Sequence, residues 1–294
     1  MLAALAGYLA VHQASGGRGG AYCTVVSGKG DGAAYRFSSE QAVNAATVAA
    51  VGTALGMPER AVTIALATAL QESALVNIEH GDRDSLGLFQ QRPSQGWGTA
   101  EQITDPVYAS AEFYEHLEAV PGYSRLPLTV AAQRVQRSGY PQAYAKHEPD
   151  ATLLAAALTG RSEATLTCAD GGVRAKGSPA GVRAALVRDF GQEALAPAGA
   201  EVPGAGGGSA APSPAPAEPG AREVVLPVSD GPGGTAGVRQ RGWELAHWAV
   251  ANAAALGIEE VTYAGRRWTP GTVSGRWPAV GGADLSRVRI VTGQ

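Results

Sequence analysis

Cysteine is nearly absent from this chain of 294 residues, which holds only Cys23 and Cys168. Two thiols without an accompanying histidine spacing do not make a tetrahedral zinc site, and the whole chain carries five histidines. Positive charge is not in excess: 23 Lys and Arg stand against 26 Asp and Glu, giving a net charge of −3 and a pI near 6.0. The basic signature of a nucleic-acid-binding protein is therefore missing. A bilayer-spanning run is missing too. The N-terminal stretch "LAALAGYLAV" (2–11) is far short of the ~20 apolar residues a membrane helix needs.

What is present is apolar and small. Apolar residues make up 45% of the chain, ample for packed cores, and Gly (40) and Pro (18) are abundant. The short apolar run at the start is followed by the polar, Gly-rich "HQASGGRGG", which favours a signal or membrane-anchor segment over residues 1–20; a core helix is the other reading. The cysteines flank the first apolar region. In an exported protein a Cys23–Cys168 bridge would close a loop of roughly 145 residues and stabilise it by about 4–5 kcal/mol in the chain-entropy model. Two buried thiols are the alternative; the even cysteine count and the export-like start favour the bridge.

Helical patterns dominate from residue 38 to 160, where strand alternation is lacking. Ser38 and Gln41 read as a capping box with a stop at Gly56, and Pro58 as the first-turn residue of the next helix, through "ERAVTIALATALQES". Further helices are expected over 105–119, over "TVAAQRVQRSG" and over "DATLLAAALTG", with another at "SPAGVRAALVRDFGQEAL". Residues 196–221 are almost wholly Ala, Pro, Gly and Ser, a composition that cannot bury a core and reads as a disordered loop or linker. Beyond it the character changes. Four of the five tryptophans cluster here, three strand-like runs ("REVVLPV", "IEEVTYAG", "RVRIVTG") surround the amphipathic "GWELAHWAVANAAALG", and a small α+β module is expected.

The chemistry-bearing stretch is "LATALQESALVNIEHGDRDSLGLFQQRPSQGWG". Ala65, Thr68 and Ala69 share the helical face of Glu72 and set its carboxyl against a wall of low polarity. Desolvation should raise its pKa; a value of about 6 suits an acid that holds a proton at neutral pH and then releases it. An exposed Glu at a helix end is the ordinary alternative, though it would oppose the helix dipole. Downstream, Gly87 offers close backbone approach, and the amides of Gln90 and Gln91 suit sugar hydroxyls and N-acetyl groups. Glu79, Asp82 and Asp84 are candidate second carboxylates or turn-forming loop residues, with Asp84 also able to orient Arg83 or its loop. His80 is a lone loop histidine. Arg92 and Trp97 are candidate contacts to a carboxylate and a sugar face, or simply local packing.

"QES" at a helix end, "SLGLFQQ" about a dozen residues on, "DPVYASAEFY" and "AAQRVQRSGYPQAYA" follow one another in an order that resembles the lysozyme-like lytic transglycosylases. The resemblance spans residues 38–168 and looks like such a domain from actinobacterial cell-wall proteins; counting its flanks the domain is set at 21–170. It implies a mainly α lysozyme-like fold, Glu72 as catalytic acid/base, and Ser85, Gly87, Gln90 and Gln91 at the substrate turn. Gln136 stands where the family has Asn, Val135 where it has Tyr, and Phe89 where it has Met; Tyr144 is expected along the cleft. Implied activity is cleavage of the MurNAc–GlcNAc bond of peptidoglycan by attack of the sugar's own 6-hydroxyl, with no cofactor and no metal. Hydrolysis through a second carboxylate, or glycan binding without turnover, remain open. The expected partners are peptidoglycan strands, with membrane contact through the N-terminal segment, and the location is extracytoplasmic.

"RGWELAHWAVANAAALGIEEVTYAGRRWT" resembles the C-terminal module of other actinobacterial wall proteins, similar to a D-Ala-D-Ala carboxypeptidase-type zinc peptidase. On that resemblance residues 177–294 form a degenerate version. Val225 stands where a metal Asp is expected, and Arg287 and Arg289 where histidines are; a guanidinium has no lone pair to offer a metal. His247, on the helix, is expected to be packed.

Overall fold

A computed structural model describes residues 20–138, 140–169, 171, 175–195, 222–228, 234–271 and 277–294. The expectations for the N-terminal apolar run and for 196–221 fall outside them. The chain is mixed α/β, with a helical region over 39–190 followed by a four-stranded antiparallel sheet and its helix.

The helical region opens on two strands, β1 (Tyr22–Val26) and β2 (Ala34–Ser38). Helices α1 (Ser39–Ala54), α2 (Glu59–Ser73), the single turn α3 (Ala100–Ile103), α4 (Pro106–Glu118), α5 (Leu128–Gln136) and α6 (Glu148–Leu158) follow, then β3 (Leu166–Ala169) and α7 (Pro179–Phe190). The capping box is formed as its residues predict: Gln41 N–H donates to Ser38 Oγ at 3.2 Å and Ser38 N–H to Gln41 Oε1 at 2.7 Å. Pro58 is the cap of α2 rather than its first helical residue.

Helix α2 lies at the centre. Every residue from Ala61 to Leu70 is buried, so the helix is enclosed all round by α1, α4, α5 and α6. Its alanines explain how: small side chains let four helices approach one axis closely. The sheet β2-β1-β3 is antiparallel and sets Cys23 opposite Cys168, which form a disulfide across 145 positions of sequence. Sequence patterning did not foresee this sheet, because its strands are only four or five residues long.

The C-terminal sheet runs β4 (Glu223–Pro227), β7 (Arg287–Thr292), β5 (Ile258–Tyr263), β6 (Arg266–Trp268) across its width. Helix α8 (Gly234–Ala251) starts eight residues before the expected segment. It breaks at Asn252 into the single turn α9 (Ala253–Leu256), and Gly257 closes it in a left-handed conformation. Residues Gly242 to Ala251 of α8 are buried throughout, because one side packs on β5 and β7 and the other on α1, α6 and β3. The two parts therefore share one hydrophobic core.

Polar pins cross that seam. His247, fully buried, lies 2.7 Å from the Ala157 carbonyl at Nδ1 and accepts Thr165 N–H at Nε2 over 3.3 Å, and burial pushes its pKa down to about 4. It is packed, as its position on an aromatic helix suggests. Trp248 Nε1 donates to the buried Asp189 carboxylate at 2.8 Å, and Trp277 Nε1 to the Leu166 carbonyl at 2.9 Å. Arg287 and Arg289 sit on the outward face of the sheet in ion pairs with Asp284 (2.6 Å) and Glu223 (2.7 Å), with exposed Val225 opposite Arg289.

Candidate active site

Glu72 is the penultimate residue of α2. The helix stops when Ala74 turns left-handed at φ 56°, its N–H bonding back to the carbonyls of the last turn. One residue past the acid, Ser73 Oγ donates to the Leu88 carbonyl at 2.8 Å. This fastens the turn Leu86–Gln91 to the helix end; Leu86 N–H closes that turn onto the Gln91 carbonyl at 2.9 Å.

The wall behind Glu72 is the expected one. Ala65, Thr68 and Ala69 are buried, and the Thr68 hydroxyl is turned back onto the Ile64 carbonyl at 2.8 Å, so it presents little polarity. Burial raises the Glu72 pKa above the ordinary carboxylate value; hydrogen bonds from Tyr144 and Gln136 to the ionised form act the other way and only partly offset it. Tyr144 O–H donates to Glu72 Oε1 at 2.6 Å. Burial, and the carboxylate beside it, hold the Tyr144 hydroxyl well above its usual range, so it stays a donor. Gln136 is anchored by its own amide, Nε2 donating to the Phe89 carbonyl at 2.7 Å. Behind Tyr144, His147 Nε2 lies 3.2 Å from Gln71 Oε1, and burial lowers its pKa to about 4, leaving it neutral.

Glu72 borders an open cleft of about 730 Å³. Ser85, Gln90 and Gln136 line it beside the acid, as do Asp82, Arg83 and Arg92 from the loop and Arg134 and Arg137 from the end of α5. Trp97 and His116, stacked at 4.1 Å between centroids, form an aromatic part of the wall. Arg92 and Trp97 both face the cleft, and each is packed on a neighbour, Arg92 on Asp84 and Trp97 on His116.

Three of the expected site residues make contacts within the protein itself. Tyr144 does not line the cleft; it is fully buried and touches the acid from behind. Gly87 is not among the residues lining the cleft; at φ 74° a side chain there would run into the Ile103 carbonyl oxygen, so packing alone already requires a glycine. Gln91 reaches the cleft wall but is only 2% exposed, and its Nε2 donates to the Ala109 carbonyl at 3.1 Å.

Among the ionisable residues of the loop, Glu79 and His80 are exposed and lie outside the cleft lining, whereas Asp82 is exposed within it. Asp84 accepts Ser94 N–H at 2.9 Å and Arg92 Nε at 2.7 Å, which hold its carboxyl far below the usual range. Its partner is Arg92 rather than Arg83. A carboxylate so stabilised as an anion makes a poor base. Sequence reasoning missed His116, Arg134 and Arg137; the run "QRVQR" around Gln136 was the available signal for the two arginines. Among the described residues no three His, Cys, Asp or Glu side chains gather as metal ligands. No protein-family model and no curated protein matches this chain.

Proposed function

We propose that this chain is a peptidoglycan lytic transglycosylase that cuts the MurNAc–GlcNAc bond with Glu72 as its acid and base. The observation carrying this reading is one half-buried carboxyl, its pKa raised by burial and its orientation fixed by Tyr144, at the edge of a cleft of polysaccharide size. A lysozyme-like fold for residues 21–170 belongs to the same reading, supported by a central buried helix that ends on the acid.

In the reaction, protonated Glu72 gives its proton to the glycosidic oxygen while the bond from that oxygen to the anomeric carbon breaks. The carboxylate left behind takes the proton of the muramic acid 6-hydroxyl, whose oxygen closes on the anomeric carbon. Glu72 is protonated again, no water is consumed, and the product ends in a 1,6-anhydro ring. An internal nucleophile is already in place, which lowers the barrier by several kcal/mol relative to an external one. One carboxyl suffices for this course, whereas hydrolysis calls for two. Asp82, exposed in the cleft lining, favours hydrolysis as the second reading.

Mass analysis of products from purified sacculi separates the two. Anhydro ends, lighter by one water, support transglycosylation; hydrated reducing ends support hydrolysis; intact sacculi refute both. The disulfide is consistent with an extracytoplasmic location. We assign the C-terminal unit a supporting role, since α8 completes the core beneath α1 and α6.

A further inference from the structure

We propose that the cleft selects an anionic glycan, with Arg83, Arg134 and Arg137 holding carboxylates carried by the strand; this rests on the glycan-cleaving reading above. The protein as a whole is acidic, with a net charge of −3, yet its cleft is not. Arg92 is neutralised by Asp84, and Asp82 is the remaining acid of the lining once Glu72 holds its proton. Several arginines outside the cleft do pair with carboxylates, as Arg60 does with Glu148 and Arg289 with Glu223. Arg83, Arg134 and Arg137 pair with none among the described residues, and all three are exposed in the cleft wall.

The backbone places two of the three at turns. Arg83 (φ 59°) and Arg137 (φ 51°) adopt the left-handed conformation, as does the cleft residue Gln90 (φ 49°). At Arg137 this conformation is the cap that ends α5, and it sets the side chain at the edge of the cleft. Guanidinium groups grip carboxylates through paired hydrogen bonds, which neutral sugars cannot match. Peptidoglycan offers carboxylates from two sources, the peptide stems and, where a stem is removed, the lactyl group of muramic acid.

The test is binding without turnover, using Glu72→Gln and fluorescently labelled strand fragments of three kinds: peptide-bearing, stem-stripped, and peptide-bearing with every carboxyl converted to the methylamide. The expected result is a Kd at least about tenfold weaker for the amidated strand, the difference shrinking as salt rises. Retained affinity for the stripped strand places the contact at the lactyl group; its loss places it on the stem. Arg83→Gly with Arg137→Gly removes two charges while keeping left-handed backbone, and should weaken binding of the anionic strand alone, with a Tm that does not fall. Arg134→Gln, where no strained backbone is involved, is the independent variant. Equal affinity for native and amidated strands overturns the inference even if sacculi are cut to anhydro products. Charge-dependent binding by a protein that releases no products would instead overturn the enzymatic reading and leave this one standing.

Discussion

Two opposed influences act on Glu72: burial favours its protonated form, and the hydroxyl of Tyr144 favours the ion. Cleavage should therefore fall as pH rises through the raised pKa of Glu72, because the acid form is the one that starts the reaction. Tyr144→Phe removes a bond to the ionised form and raises that pKa further. Its rate profile should keep activity to higher pH while the maximal rate drops by about tenfold, as expected for a loosened acid; a pH profile of kcat/KM reads both. Glu72→Gln should lower the rate at least about a hundredfold. It should also be more stable than the parent. A carboxyl with a raised folded pKa gives its stabilisation at low pH and loses it as pH rises, so at pH 7 the buried ion is a burden that the neutral amide lacks. Thermal melts at pH 7 and pH 4 should show the gain at the first and its disappearance at the second. The acid's environment was legible in the sequence, since Ala65, Thr68 and Ala69 are fixed on its face by helical spacing alone. The place of Tyr144 was not, because 72 positions separate it from Glu72 and only the packed fold decides that it lies behind rather than beside the cleft.

At the scale of single elements, the turn Leu86–Gln91 depends on Gly87. Gly87→Ala should cost at least about 2 kcal/mol, from left-handed backbone plus the collision with Ile103, and should impair cleavage through the displaced Gln90. Urea unfolding and activity on the same variant check both effects. Helices over 39–158 were readable because capping residues and buried alanine runs agree with one another, as at Ser38 and Gln41. Strands β1 to β3 escaped because five residues beside Gly-rich loops carry too little alternation. The expectation at Gly87 rested on residue type, and the structure adds a second reason for that type: the protein's own Ile103 carbonyl lies where a side chain would be.

For the molecule as a whole, the seam between the two parts carries His247, whose pKa of about 4 lies below the ordinary histidine value. Such a group gives stability above its unfolded pKa and loses it as pH falls through the folded one, so the window is about pH 6.5 down to about 4. His147, also near 4, adds in the same direction. Tm should decline across that window, and less steeply in His247→Gln, which starts from a lower value because its two bonds are imperfectly replaced. The tryptophan-rich C-terminal run announced a module, yet nothing in its sequence showed that α8 is shared with the first region: the contacts of Trp248 with Asp189 and of His247 with Ala157 join positions 59 and 90 apart.

The cystine has a mechanical consequence. It clamps the strand that begins at Tyr22 to the strand that ends at Ala169, so the first and last strands of the helical region lie side by side, covalently joined. A pull on the polypeptide ahead of Tyr22 would be taken up first as shear along β1 and by the covalent bridge, before it reaches the long helix that carries Glu72.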